Sequence, residues 1–204
     1  MNEPRSSFGS ASLGEIAIVA RGFEREHKIL SSAEIYNSDT GTWESLPRMH
    51  RPRTMCSGVF MDGNFYVVGG IGVGHTVLTC GEMYDLGTRT WHVIPNMSPP
   101  QLHAAPMFAV VKNEIYAAFY AAFYSGNEVM KYGKGMNLWS KVRSLSERLA
   151  RPWGMAFSAY GDQLIVIVCK PSLMNASQMK GPYSGTYWPL TMNQESRTSK
   201  ICLL

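Results

Sequence analysis

Between Ser57 and Ile94 the apolar positions fall into four short runs, each closed by residues that favour turns. Ser57 to Met61 is the first run, Asn64 to Val68 the second, Thr79 to Tyr84 the third and Arg89 to Ile94 the fourth. Runs this short, rich in Val, Phe, Tyr and Thr, predict β-strands, because β-branched and aromatic side chains fit a pleated surface. Asp62-Gly63 between the first two is a tight-turn dipeptide whose residues tolerate the positive φ of a two-residue hairpin. Gly69-Gly70 ends the second run, and Asp85-Leu86-Gly87-Thr88 leads from the third into the fourth. Residues 52–97 therefore predict one antiparallel sheet of four strands.

The pattern recurs. Phe108 to Val111, a Lys112-Asn113 turn, Glu114 to Phe119, Glu128 to Tyr132 and Leu138 to Val142 repeat it downstream. Upstream lie Glu15 to Ala20, Ala33 to Tyr36 and Thr42 to Ser45. A last hairpin runs from Gly154 to Tyr160 and from Gln163 to Val168, across Gly161-Asp162. Trp43, Trp91 and Trp139 stand 48 residues apart, and each follows a tyrosine (Tyr36, Tyr84, Tyr132) by seven positions. A fixed period near 50 residues with short strands predicts the blades of a β-propeller. The expected organisation is a disordered segment over 1–14, blades at about 15–47, 52–97 and 102–143, a half blade at 151–168, and an irregular polar tail over 169–204. That is about three blades. The tyrosines and tryptophans are its packing anchors between blades. Gly69 and Gly70 are structural too, marking a strand end that needs glycine backbone, since the stretch to Gly74 lacks phosphate-loop spacing.

Composition narrows the function classes. The 204 residues are 45% hydrophobic and 17% charged, as in a folded globular chain. The net charge of +4 is scattered rather than striped, which argues against nucleic acid as partner. Cys56, Cys80, Cys169 and Cys202 have no metal or redox spacing and read as reduced thiols. Met1 to Gly14 has no apolar core, so no secretory signal is expected there. Asn96-Met97-Ser98 and Asn175-Ala176-Ser177 then match the glycosylation sequon by chance. The longest apolar run, Ile115 to Tyr124, is half of what a spanning helix needs, and no membrane partner is expected. The five histidines stand singly, and no Ser/His/Asp set or carboxylate pair assembles from spacing. No cofactor, metal or catalytic residue is assigned.

Arg53, Gly69-Gly70, Glu82, Tyr84 and Trp91 together resemble the kelch repeat. Ser31 to Tyr36, Cys56 to Gly63 and Thr79 to Asp85 look closer still to plant F-box/kelch-repeat proteins. That resemblance covers about Gly14 to Val168. It implies an all-β fold, a partial kelch-type β-propeller of about three four-stranded antiparallel blades with an irregular C-terminal tail. In that family an F-box binds the adaptor of a cullin-based ubiquitin ligase, and the propeller holds the protein to be ubiquitinated. Departures are the lack of an F-box-like segment before residue 15, a glycine pair reduced to Arg21-Gly22 in the first copy and lost at Ala117-Ala118 and Ile167-Val168, a tandem Ala-Ala-Phe-Tyr within 117–124, and the tail. The chain reads as a truncated gene product or alternative isoform.

The functional expectation is a non-enzymatic protein-interaction module that binds a target protein through loops on one propeller face. Arg48, Arg51, Arg53, His75, Arg148 and Arg151 are its candidate partner-facing residues, arginine being suited to bidentate capture of carboxylate or phosphate. Arg53 and Arg151 match the repeat's own arginine, which gives them a second reading as pins on backbone carbonyls. A ligase adaptor is expected as partner only where an F-box is supplied elsewhere. Open blade faces imply self-association and an unstable isolated chain. Cytoplasm and nucleus are the expected compartments. The alternatives are a kelch-type enzyme or enzyme-modifier with a central metal or small molecule, and a non-functional truncated isoform.

Overall fold

In the computed structural model, described over residues 1–24, 28–99, 107–118, 128–144, 154–169, 185–190 and 200–202, the chain forms four antiparallel sheets of four consecutive strands. The first contains β1 (Gly9–Leu13), β2 (Ile16–Ala20), β3 (Ala33–Asn37) and β4 (Thr42–Ser45). The second contains β5 (Ser57–Met61), β6 (Asn64–Val68), β7 (Gly81–Asp85) and β8 (Thr90–Ile94). The third contains β9 (Met107–Val111), β10 (Glu114–Ala118), β11 (Glu128–Gly133) and β12 (Leu138–Ser144). The fourth contains β13 (Gly154–Tyr160), β14 (Gln163–Cys169), β15 (Gly185–Leu190) and β16 (Lys200–Cys202). Within each sheet every strand pairs with its successor, and the first strands β1, β5, β9 and β13 adjoin one another in that order. These are propeller blades.

Two expectations about extent are corrected. The segment 1–14 is not disordered throughout: β1 lies in it, paired residue for residue with β2 from Gly9↔Ala20 to Leu13↔Ile16. The final hairpin is not a half blade, because β15 and β16 from the supposed tail complete its sheet. Four blades stand where about three were expected. β1 escapes a pattern search because Gly-Ser-Ala-Ser-Leu has almost no apolar alternation. Its small residues have a packing reason: a Cβ on Gly58 of β5 would come within 2.6 Å of the Ser10 nitrogen, so the two inner strands approach with backbone nearly touching.

The seven-residue interval between tyrosine and tryptophan follows from hairpin register. Tyr36↔Trp43, Tyr84↔Trp91 and Tyr132↔Trp139 are directly opposed across the last hairpin of their sheets. Their ring centroids lie 5.1, 5.0 and 5.3 Å apart. Two of the tryptophans also reach out of their own blade. The Trp91 indole N–H donates to the Pro47 carbonyl at 2.9 Å, and that of Trp139 to the Asn96 carbonyl at 3.2 Å.

The hydrophobic core lies between the sheets, in three layers. Ile18, Ala20, Ala33, Leu46 and Met49 meet Cys56, Phe65, Val67, Tyr84 and Trp91. Val59, Met61, Tyr66, Val68 and Met97 meet Phe108, Ile115, Ala117 and Tyr132. Ala109, Val111, Tyr116, Ala118 and Val129 meet Phe157, Leu164 and Val166. Alternate residues of β6 and β10 thus serve opposite layers, which explains why both strands are apolar from their second residue onward.

Candidate functional site

Each of the first two blades is held at one end by a buried arginine and glutamate, repeated at an interval of 48. In the second blade the Arg53 guanidinium donates to the Gly69 carbonyl at 2.9 Å, the Cys80 carbonyl at 2.6 Å and Glu82 Oε1 at 3.3 Å. In the first, Arg5 donates to the Arg21 carbonyl at 3.3 Å, the Ser32 carbonyl at 3.0 Å and Glu34 Oε1 at 2.6 Å. Glu34 also accepts the backbone N–H groups of Asn2 and Glu3, and Glu82 those of His50 and Arg51. One side chain pair therefore ties the entry segment of a blade to the ends of its second and third strands.

Arg21 breaks this symmetry. It occupies the Gly69 position of the first copy and adopts the same left-handed backbone, φ 68° against 64°. Its side chain is fully buried and crosses to the next blade, where Nη2 donates to Glu82 Oε1. Gly22 matches Gly70 (φ 91° and 96°), and a Cβ at Gly70 would stand 2.6 Å from the Thr54 carbonyl oxygen. Arg21-Gly22 is thus the glycine pair with one side chain put to use. In the third copy, strand register aligns Ala117-Ala118 with Val67-Val68, so the residues in the glycine position there are 119–120, outside the described residues. Met130 takes the place of Glu82, and no arginine occurs in 101–106.

The electrostatics follow burial. Burial alone would push the Glu82 carboxyl up; Arg21, the His50 N–H and Arg53 outweigh it and hold that carboxyl below the usual range. Glu34 is likewise lowered, against burial, by the Asn2 and Glu3 N–H groups and by Arg5. Arg21 is pushed down to about 10 by burial and by Arg53, with Glu82 opposing. Burial raises the Cys56 thiol, which excludes it as a ready nucleophile.

Above these anchors the loops pair. Isolated bridges join Thr54 to Ile71 and Ile71 to Val77, and in the first blade Ser6 to Phe23 and Phe23 to Ile29. The segment entering each blade and the connection between its second and third strands therefore lie side by side, at one end of the sheet. Arg48, Arg51 and His75 are exposed there. So are Met55, Val73 and Val77, with Val73 69% exposed at the tip of a short 3₁₀ turn, Val73–His75. Arg53 is a correction. At 0% exposure and with its donors on backbone carbonyls and Glu82, it pins the loop rather than facing a partner. Arg148 and Arg151 lie outside the described residues, as do His27 and His103; Arg143 is exposed on β12. Sequence reading missed Arg5, Glu34 and Arg21, although stepping back 48 residues from Arg53 and Glu82 lands on the first two.

Among the described residues no three His, Cys, Asp or Glu side chains group as metal ligands, and no helix is long and apolar enough to cross a membrane. The Kelch motif matches residues 4–50 and 52–98. An F-box/kelch-repeat protein of Arabidopsis thaliana is 51% identical over 188 residues, covering 82% of this chain and 41% of its own length. The F-box/kelch-repeat protein SKIP11 of the same plant is 55% identical over 181 residues, covering 82% of this chain and 38% of its own length. The chain spans about two fifths of the length of these curated relatives. The solved structure of YjhT aligns with a TM-score of 0.67 at 17% identity, covering 98% of this chain and 66% of that one, a likeness of fold. Two Kelch motifs and meandering four-stranded blades make residues 4–98 a kelch-repeat propeller segment, and over 82% of its length the chain is similar to plant F-box/kelch-repeat proteins.

Proposed function

We propose that this propeller segment is a non-enzymatic protein-binding module whose paired loops hold a target for a ubiquitin ligase, with the ligase adaptor as partner only where an F-box accompanies it. The observation that carries the reading is the end of the first two blades. Exposed arginines at 48 and 51 and exposed apolar side chains at 55, 73 and 77 stand on loops fixed from beneath by Arg53 and Glu82. A rigid base under exposed anchors lowers the entropy lost on binding. Arginine beside apolar anchors suits an extended segment with carboxylates. The relatives printed as F-box/kelch-repeat proteins support the ligase assignment. Cytoplasm and nucleus, where such ligases act, are the proposed compartments.

The test is affinity purification from plant tissue with the wild-type chain and with the Arg48→Glu/Arg51→Glu variant. The reading expects ligase subunits and a defined target with the wild type, and loss of the target alone with the variant. Retention of every partner by the variant would remove the acidic-segment part of the proposal. Absence of ligase subunits from both would remove the ligase part.

A further inference from the structure

The two arginine–glutamate anchors differ in charge balance. Around Glu34, Arg5 meets a second carboxylate, Glu3, at 3.5 Å. Around Glu82 the corresponding position is Arg51, and the crossing Arg21 adds another guanidinium. Arg21 and Arg53, both fully buried, thus share the single carboxylate of Glu82 among the described residues. The Cys56 thiol is within electrostatic reach of both and stays neutral because burial raises it, so it supplies no counter-charge.

The donors repeat the imbalance. The Nε groups of Arg5, Arg21 and Arg53 are all buried without an acceptor among the described residues; what sets Arg21 apart is that, with Nη2 spent on Glu82, its Nη1 is unpaired as well. A buried charged donor left unpaired is costly, and a second guanidinium beside one carboxylate leaves an uncompensated charge. We propose that the free edge of Arg21, in the field of Arg53, binds one small monovalent anion of halide size at the joint between the first and second blades. Complete burial of Arg21 selects the class. An ion reaching Nε and Nη1 has to shed its water, which favours chloride or bromide over sulfate or phosphate, and a partner's side chain does not reach a group with no exposed surface.

The probe is bromide, titrated into the full 204-residue chain against gluconate at constant ionic strength, with the thermal midpoint as readout. The expected result is a saturable rise, about 5–10 °C at a hundredfold excess over half-saturation. Arg21→Gly places there the residue found in the next copy and compatible with the left-handed backbone; it is expected to abolish the saturable rise. Should Arg21→Gly fail to fold, Glu82→Gln keeps the amide oxygen as acceptor, removes the competing carboxylate, and is expected to lower the half-saturating bromide concentration several-fold. Equal wild-type midpoints in bromide and gluconate would overturn the proposal, as would a saturable rise surviving in Arg21→Gly. A half-saturation unchanged or raised in Glu82→Gln would do the same.

Discussion

The joint between the first and second blades and the joint between the second and third are built from the same repeat, yet they hold by different physics. The former combines an apolar layer with a buried ion pair that crosses it, Arg21 to Glu82. The latter has Met130 in the glutamate's place and relies on side chains such as Tyr66, Met97 and Phe108. Hydrophobic burial is non-directional and accepts any neighbour of suitable shape. A guanidinium that finds its carboxylate only in one adjacent blade adds pair identity, as unpaired buried charge penalises any other neighbour.

The sharpest way to break the first joint is Glu82→Ala. It strands two buried guanidiniums, and the expected loss is about 5 kcal/mol, at the upper end for breaking a buried pair; chemical denaturation measures it. The apolar joint has no counterpart of that size. Next come the tryptophans. Trp91, 6% exposed, is expected to cost about 3 kcal/mol on truncation to Ala, while the half-buried Trp139 costs about 2. Equal losses would show that the two joints shield their indoles alike.

Acid separates the joints more gently. Glu82 titrates below its ordinary value of 4.5 when folded, so the stability it lends is complete above that value and is lost as pH falls through the depressed one. Melting the wild type and Glu82→Gln between neutral pH and pH 3 is expected to show a shallower acid limb in the variant. Parallel limbs would assign the acid sensitivity to Glu34 and other carboxylates. The smallest effect is expected at Arg89→Ala. Its exposed pair with Glu44 also bridges the first two blades, and solvent screening leaves the melting midpoint unchanged.

The parts of the fold legible in the sequence were those in which side chains pack within their own hairpin. Tyr84 and Trp91 face each other because of register alone, so their spacing repeats wherever the hairpin does. Asp62-Gly63 and Lys112-Asn113 announce turns because backbone at positive φ narrows the choice of residue. What escaped reading depends on other blades. Arg21 resembles a decayed glycine until its carboxylate across the joint is known. The small residues of β1 make sense only beside Gly58. At the loop end, spacing located Arg48, Arg51 and Arg53 together, but only burial distinguishes the anchor Arg53 from its two exposed neighbours.

The backward reach of the indoles has a consequence for chain length. Because Trp91 and Trp139 each grip a carbonyl in the segment just before their own blade, the unit of recognition spans one blade and the tail of its predecessor. Duplicating or deleting a full period reproduces every such grip, whereas cutting inside a period leaves an indole with nothing to hold. A chain lengthened or shortened by whole periods therefore keeps its indole contacts, and one cut within a period does not.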